Sequence, residues 1–343
     1  MAVKIKADRY DTMEYRRCGH SGLKLPVISL GCWHNFGARG TGSAGNITEK
    51  AFNDNAKKMI YTAFNCGITH IDLANGYGPP AGAAEKRVGK IIRDLPREEL
   101  VISTKAGYRV WPGPYGDGGS RKYLLSSVDM SLKRMGLDYI DIFYHHRPDP
   151  ETPLEETLEA LNQAITSGKA LYAGVSNYSA AGLTRAQKIC AKNGWHRILI
   201  HQPAYNMLLR KYELDLFGAC ERTGTGIICY CPLEQGLLTG KYLKSIPKDS
   251  RAVSKDGFLQ KDRITPELVK RLNKLNDIAT KRGQSLAQMA LAWVLRRSEV
   301  TSVLIGASRP AQITENVKVI ENLEFSKQEL AAIDKLAPPP KIK

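Results

Sequence analysis

Four ionisable side chains stand where short apolar runs give out: Asp72, then Tyr77, in "DLANGYG", Lys105 in "STKAG", and His146 in "FYHHRPD". Their types suit one piece of chemistry, delivery of a proton to a carbonyl oxygen as its carbon is reduced. A free tyrosine has a pKa of about 10 and is a poor acid at neutral pH. An ammonium within reach favours the phenolate and lowers that pKa; this is the part expected of Lys105, with the Asp72 carboxylate holding the ammonium in place. Positioned general acids contribute on the order of 10²–10⁴ in rate. His146 would orient the carbonyl oxygen beside the Tyr77 hydroxyl. The neighbouring His145 has the opposite strand parity and reads as a rim or packing residue. Taken singly, each residue has an ordinary reading as a cap, a packing ring or a solvated lysine. Four of them at four such places are not explained by packing.

The elements that must carry them repeat. Runs rich in Val and Ile read as strands at 27–31, 69–74, 101–106, 139–146, 170–177, 198–206, 226–232 and 302–307, and helical-period segments read at 49–66, 84–94, 121–135, 154–167, 180–193, 213–223 and 266–297. Nearly continuous apolar strands alternating with helices imply a parallel sheet buried on both faces. Eight such units predict an α/β (β/α)₈ TIM barrel, whose active site lies at the C-terminal ends of the strands. A single domain spanning 1–343 is expected. Within it, "EYRRCGHSGLKLPVI" predicts an N-terminal β-hairpin in 1–26 that plugs the barrel bottom. A long loop at 233–265 after the seventh strand reads as an active-site cover, and 338–343 as a flexible tail.

"GTGSAG" at 40–45 spells G-x-G-x-x-G, but that motif binds a pyrophosphate only directly between a strand and a helix. Here the first strand ends near Gly31, and the next helix would be capped by Asn46 or Thr48. The glycines therefore read as mid-loop. The net charge of +16 invites a nucleic-acid reading, but Lys and Arg are spread along the chain without interleaved aromatics, so no nucleic-acid partner is expected. Seven cysteines with no C-x-x-C pair argue against a disulfide framework or a metal site and fit a reducing compartment. The charged opening "MAVKIKADRYD" does not read as a secretory leader, and no apolar run approaches membrane-span length. The expectation is a cytoplasmic protein with no membrane partner.

The runs "DLANGYG", "STKAG", "FYHHRPD", "GVSNYS" and "SVLIGASRPAQITENV" resemble, in the same order, the aldo-keto reductase superfamily. "WHNFG", "WPGPYGDGGSRKYLL", "SLKRMGLDYIDIFY" and "PLEQGLLTGKYL" are similar to its branch of L-glyceraldehyde 3-phosphate reductases and potassium-channel β-subunits. The resemblance covers essentially the whole chain. It implies an NADPH-dependent barrel enzyme without a Rossmann domain, with Asp72, Tyr77, Lys105 and His146 as its tetrad and Tyr77 as proton donor. In the channel subunits the histidine place resembles "NRPD"; His146 standing there favours turnover over the alternative of a cofactor-binding regulatory subunit of a membrane protein. The resemblance also suggests assembly as a ring of copies.

The same resemblance places the cofactor. Ser176, Asn177 and Gln202 would hold the nicotinamide carboxamide, and Tyr230 would stack on its ring. Cys231, Pro232, Leu233, Glu234 and Gln235, with Lys241 and Arg251, would surround the pyrophosphate. Glu234 departs from the small residue usual there and would have to point away or pair with a cation. Gly306, Ala307, Ser308, Arg309 and Gln312 follow the last strand at a helix N-terminus, where free N–H groups favour anions. Arg309 there suits a 2′-phosphate; Glu315 and Asn316 would reach the adenine. Cys32 and Trp33 would line the cofactor and substrate pocket, and Trp33, Tyr77, Tyr108, Trp111 and His146 would form a mostly aromatic substrate wall. Small aldehydes suit it, L-glyceraldehyde 3-phosphate or methylglyoxal among them, with Arg121 and Lys122 as candidate partners for a substrate phosphate.

Overall fold

The computed structural model describes residues 4–33, 35–37, 48–247, 250, 252–253 and 259–341. The chain opens with an antiparallel hairpin, β1 (Tyr15–Arg17) and β2 (Lys24–Pro26). Eight parallel strands follow and close into a barrel: β3 (Ile28–Gly31), β4 (His70–Asp72), β5 (Val101–Ala106), β6 (Ile140–His145), β7 (Ala170–Ser176), β8 (Ile198–Gln202), β9 (Gly226–Cys229) and β10 (Val300–Ile305), which pairs with both β9 and β3. Helices α1 (Glu49–Asn65), α2 (Ala83–Ile92), α3 (Arg121–Met135), α4 (Leu154–Thr166), α5 (Ala180–Lys192), α6 (Leu216–Thr223), α7 (Pro266–Lys281), α8 (Leu286–Leu295), α9 (Pro310–Val317) and α10 (Lys327–Leu336) flank it. Many start where the sequence marks them: Thr48, Ser120, Ser179, Thr265, Ser285 and Ser326 each accept a hydrogen bond from the N–H three residues on, the expected action of a hydroxyl N-cap.

The barrel and the hairpin match the reading from sequence; several boundaries do not. The single helical stretch expected over 266–297 is two helices, because Gly283 turns the chain at φ +68° and Ser285 with Gln288 forms a capping box that starts α8. The strands expected to run to 206 and 232 stop at Gln202 and Cys229, just ahead of Pro203 and Pro232, which lack the N–H a ladder needs. The segment expected to be helical from 213 holds a 3-10 turn at Lys211–Glu213 before α6. The glycines of 40–45, and Asn46, lie outside the described residues. The helix after β3 opens at Glu49, capped by Thr48.

The hairpin seals the bottom of the barrel by close backbone approach. Gly19 has φ +52°, and a Cβ there would meet the Gly224 carbonyl oxygen at 2.3 Å and the Gly226 nitrogen at 2.6 Å. Cys18 and Leu25 of the hairpin are fully buried in one cluster with Ile142, Tyr144, Ile200, Ile228 and Leu304. Apart from Leu304 of β10, these side chains fill the barrel on its β6–β9 side. On the β10–β3–β4–β5 side the interior is polar: Ser302, Ser29, His70, Asp72, Ser103 and Lys105, all at most 2% exposed. Strand parity produces this split. In β5, Ser103 and Lys105 face inward, while the Thr104 hydroxyl between them donates to Glu85 of α2 at 2.7 Å.

Candidate active site

Lys105 lies beneath a cavity at the C-terminal ends of the strands, behind the lining residues Asp72 and Tyr77 and with no exposed surface of its own. Its ammonium has three hydrogen bonds to give, and three acceptors receive them: Asp72 Oδ2 at 2.5 Å, the Leu73 carbonyl at 2.8 Å and Tyr77 Oη at 3.1 Å. Because Tyr77 Oη accepts from Lys105, its own O–H proton is left to point elsewhere. Asp72 Oδ1 accepts from Ser103 Oγ at 2.7 Å and from Gln202 Nε2 at 3.1 Å. Tyr77 follows β4 on a turn closed by its N–H on the Ala74 carbonyl, and buried Asn75 anchors that turn to Tyr123 and Ser127 of α3. The His146 ring stands edge-on to Tyr77 at 6.1 Å between centroids, and to Tyr108 at 4.6 Å.

Burial governs the titration of this group. It pushes the Tyr77 hydroxyl well above its ordinary range, with the charges of Asp72, Cys231, Cys32 and Tyr230 adding to it. This corrects the expectation that Lys105 would lower that pKa: desolvation of the phenolate wins, and Tyr77 keeps its proton at neutral pH. Burial also lowers the Lys105 pKa, opposed by the charge and hydrogen bond of Asp72. His146 is held well below its usual value by burial, then by Lys105, His145 and Arg147. Its imidazole is neutral, with one N–H to donate. His145 is fully buried and bonded through Nδ1 to Tyr178 Oη at 2.7 Å.

The cavity holds about 640 Å³, within the range of roughly 300–1,000 Å³ for small-molecule sites. Of the residues singled out from sequence, it is lined by Trp33, Asp72, Tyr77, Tyr108, His146, Ser176, Asn177, Gln202, Tyr230, Cys231, Pro232, Leu233, Gln235, Lys241, Gly306, Ser308 and Gln312. Several of their polar groups are bonded to one another. Tyr230 Oη donates to Asn177 Oδ1 at 2.7 Å, Asn177 Nδ2 donates to the His146 carbonyl at 3.1 Å, and Ser176 Oγ donates to the Gln202 carbonyl at 2.8 Å.

Other candidates lie off the cavity. Cys32 is buried behind it, and the Ala307 carbonyl accepts from Asn35 Nδ2 at 2.7 Å. Trp111 packs on Tyr123 instead of the substrate wall. Arg309 is the exposed N-cap of α9; Glu315 pairs with Lys318, and Asn316 is buried. Glu234 points away from the cavity and is neutralised there, accepting from Asn206 Nδ2 at 2.6 Å and Arg263 Nη2 at 2.8 Å. Arg121 pairs with Glu159 and Lys122 lies over the Tyr115 ring, so neither reaches the cavity. Arg251 lies outside the described residues.

The cavity also contains residues the sequence did not single out, among them Asn35, Arg109, Thr239, Tyr242 and Leu304. Arg109 is exposed at the mouth, one residue beyond Tyr108, and no hydrogen bond or ion pair joins it to the described residues. Reading one position further along that loop would have found it. A second signal is backbone strain. Among the described residues, the non-glycine positions with left-handed φ are Asn177 (61°), Cys231 (53°), Glu234 (42°) and Gln235 (55°). Three line the cavity and the fourth sits between two of them, a clustering typical of functional sites.

A barrel with Asp72, Tyr77, Lys105 and His146 at its C-terminal end is matched from residue 28 to residue 338 by the model of the Aldo/keto reductase family. The chain belongs to this family. It is therefore an oxidoreductase, in a family whose members use nicotinamide cofactors. It is 51% identical over 338 residues, 95% of this chain and 93% of the other, to a protein of Escherichia coli O157:H7 named L-glyceraldehyde 3-phosphate reductase. The likeness to the protein of that name from Escherichia coli strain K12 is also 51%, over 337 residues, covering the same shares of the two chains. A probable voltage-gated potassium channel subunit beta of Arabidopsis thaliana is 37% identical over 316 residues, 90% of this chain and 92% of its own. Among the described residues, no group of His, Cys, Asp or Glu is placed to hold a metal, and no helix is long and apolar enough to cross a membrane.

Proposed function

We propose that this chain reduces small aldehydes to alcohols with NADPH, Tyr77 being the proton donor. One observation carries the reading: buried Lys105 links Asp72 to Tyr77 Oη, at 2.5 and 3.1 Å, and Asp72 and Tyr77 line the cavity together with His146. The cavity suits such a cofactor, with the Tyr230 ring along one wall, Lys241 further out, and Ser308 and Gln312 at the start of α9. When bound, the nicotinamide supplies a hydride to the carbonyl carbon. Tyr77 gives its proton to the carbonyl oxygen, and Lys105 steadies the negative charge left on Oη. Neutral His146 donates its N–H to that same carbonyl oxygen and fixes its angle. Trp33, Tyr77 and Tyr108 stand over the reacting carbonyl and exclude water.

The likeness to proteins named L-glyceraldehyde 3-phosphate reductase supports a phosphorylated substrate. A phosphate needs a cation, and Arg109 at the mouth is placed for that work where Arg121 and Lys122 are not. The test is NADPH consumption by the pure protein with glyceraldehyde 3-phosphate, methylglyoxal and an unphosphorylated short aldehyde. Turnover of the phosphorylated substrate, with KM raised about tenfold or more in Arg109→Ala and methylglyoxal unaffected, is the expected result. Tight NADPH binding without turnover of any of the three would replace it with the regulatory-subunit reading, which the potassium-channel relative makes concrete.

A further inference from the structure

Behind the tetrad, the polar side of the barrel interior forms a continuous line of side chains through four neighbouring strands. Ser302 Oγ of β10 lies 2.7 Å from Ser29 Oγ of β3, and Ser29 Oγ lies 2.9 Å from His70 Nδ1 of β4. His70 Nε2 lies 3.0 Å from Ser103 Oγ of β5, which reaches Asp72 Oδ1 at 2.7 Å. All five residues are at most 2% exposed. None of the four behind Asp72 belongs to the tetrad or the cavity lining.

The donors and acceptors of this line leave one consistent direction. A carboxylate only accepts, so Ser103 must spend its single proton on Asp72. Ser103 Oγ must then accept from His70, which puts the imidazole proton on Nε2. His70 is neutral, since burial pulls its pKa down to about 4, so its Nδ1 is bare and accepts from Ser29. Ser29 in turn accepts from Ser302. Every proton points toward Asp72, and mutually polarising hydrogen bonds in a low-dielectric interior strengthen one another.

We propose that His70 and Ser103 are positioning residues, a directed hydrogen-bond line that clamps Asp72 Oδ1 so that Oδ2 is presented to Lys105 and Lys105 to Tyr77. The proposal rests on the reductase reading above. Among the described residues, two side-chain donors hold Oδ1, Ser103 and Gln202, and Gln202 is the longer at 3.1 Å. Without the Ser103 hydroxyl the carboxylate can rotate about its Cβ–Cγ bond, and the Lys105 ammonium loses its fixed place under Tyr77 Oη. Asp72 thus needs support from behind as well as a partner in front.

Two measurements test it on the full-length protein. Nitrogen-15 spectra of histidine-labelled protein at neutral pH, with the signal identified by its loss in His70→Asn, should show His70 neutral and protonated at Nε2. A proton on Nδ1, or a charged ring, overturns the line's direction. Kinetically, Ser103→Ala and His70→Asn should each lower kcat for glyceraldehyde 3-phosphate about tenfold, with NADPH Kd within about twofold of the native value. Ser103→Thr, which keeps the hydroxyl, should restore most of the rate. Native kcat in Ser103→Ala sinks the proposal, and so does an equal loss of kcat and NADPH affinity that Ser103→Thr fails to rescue. Native protein that reduces no aldehyde would defeat the reductase reading instead, and the histidine spectrum would still decide the line itself.

Discussion

From β10 round to β5 the barrel is lined by Ser302, Ser29, His70, Asp72, Ser103 and Lys105; from β6 to β9 it is lined by Ile142, Tyr144, Ile200 and Ile228. The two sides solve different problems. On the polar side, burial would be costly if any group were unpaired, and each is hydrogen-bonded to a neighbour, ending in an ammonium with three acceptors. The apolar side packs by shape. Gly174 makes the room: a Cβ there would meet Tyr144 ring carbons at 2.5 Å, and Tyr144 in turn lies 5.8 Å from the Lys105 ammonium. The dry side lowers the dielectric in which the polar side works, so its charges count for more. One side carries the chemistry and the other makes it stable enough to hold.

Variants can break that division. Lys105→Met should have the largest effect, lowering carbonyl reduction on the order of 10²–10⁴ and costing about 3–5 kcal/mol of stability because Asp72 is left as an unpaired buried charge. Adding Asp72→Leu should return most of the stability and none of the activity; denaturant melts that show no recovery would mean the pair is not acting as a unit. Next, Ile228→Ala on the apolar side should cost about 2–5 kcal/mol while kcat stays within about twofold. A collapse of kcat in a folded Ile228→Ala protein would show that the two sides are not separable.

Acid probes the buried histidines, with a smaller effect per residue. His70, His145 and His201 are buried with pKa values lowered to about 4. In this pH window the unfolded chain takes up protons that the folded one refuses, so stability falls as pH drops from about 6.5 toward 4, by at most about 2 kcal/mol per histidine at pH 5. Thermal melts at pH 7 and pH 5 should show the drop, and it should shrink in His201→Gln, whose native ring bonds the Tyr178 carbonyl at 3.1 Å. An unchanged midpoint would mean these rings are already charged when folded. The smallest effect belongs to Arg121→Ala, which loses only a half-exposed pair with Glu159. Its stability should move by less than about 1 kcal/mol, and its KM for glyceraldehyde 3-phosphate should not change. A raised KM would return the substrate phosphate to Arg121.

Much of the site was legible because strand parity and strand ends are local properties. Asp72, Lys105 and His146 stand at or just past the ends of β4, β5 and β6, where alternation alone places them. The same alternation could have put Ser103 and His70 inside the barrel, two positions before Lys105 and Asp72, but small polar residues in a strand carry no signal of their own. Trp111 was misplaced because a loop tryptophan beside a pocket looks the same in sequence whether it faces the cavity or packs on Tyr123. Arg121 and Lys122 were candidates by charge alone, and charge does not say which way a helix turns its first residues. Glu234 looked unfavourable beside an anion until the fold supplied Asn206, 28 residues earlier, and Arg263, 29 residues later.

By itself the sequence determined the repeat of apolar strands and capped helices, the closure of that repeat into a barrel, and which residues stand at its working end. Those follow from periodicity and capping, which operate within a few residues. Only the tertiary structure decided that Lys105 spends all three of its hydrogen bonds, that burial keeps the Tyr77 proton in place, and that a line of serines and a histidine stands behind Asp72. Each of these depends on atoms from strands far apart in the chain, and on desolvation, which exists only once the barrel has closed.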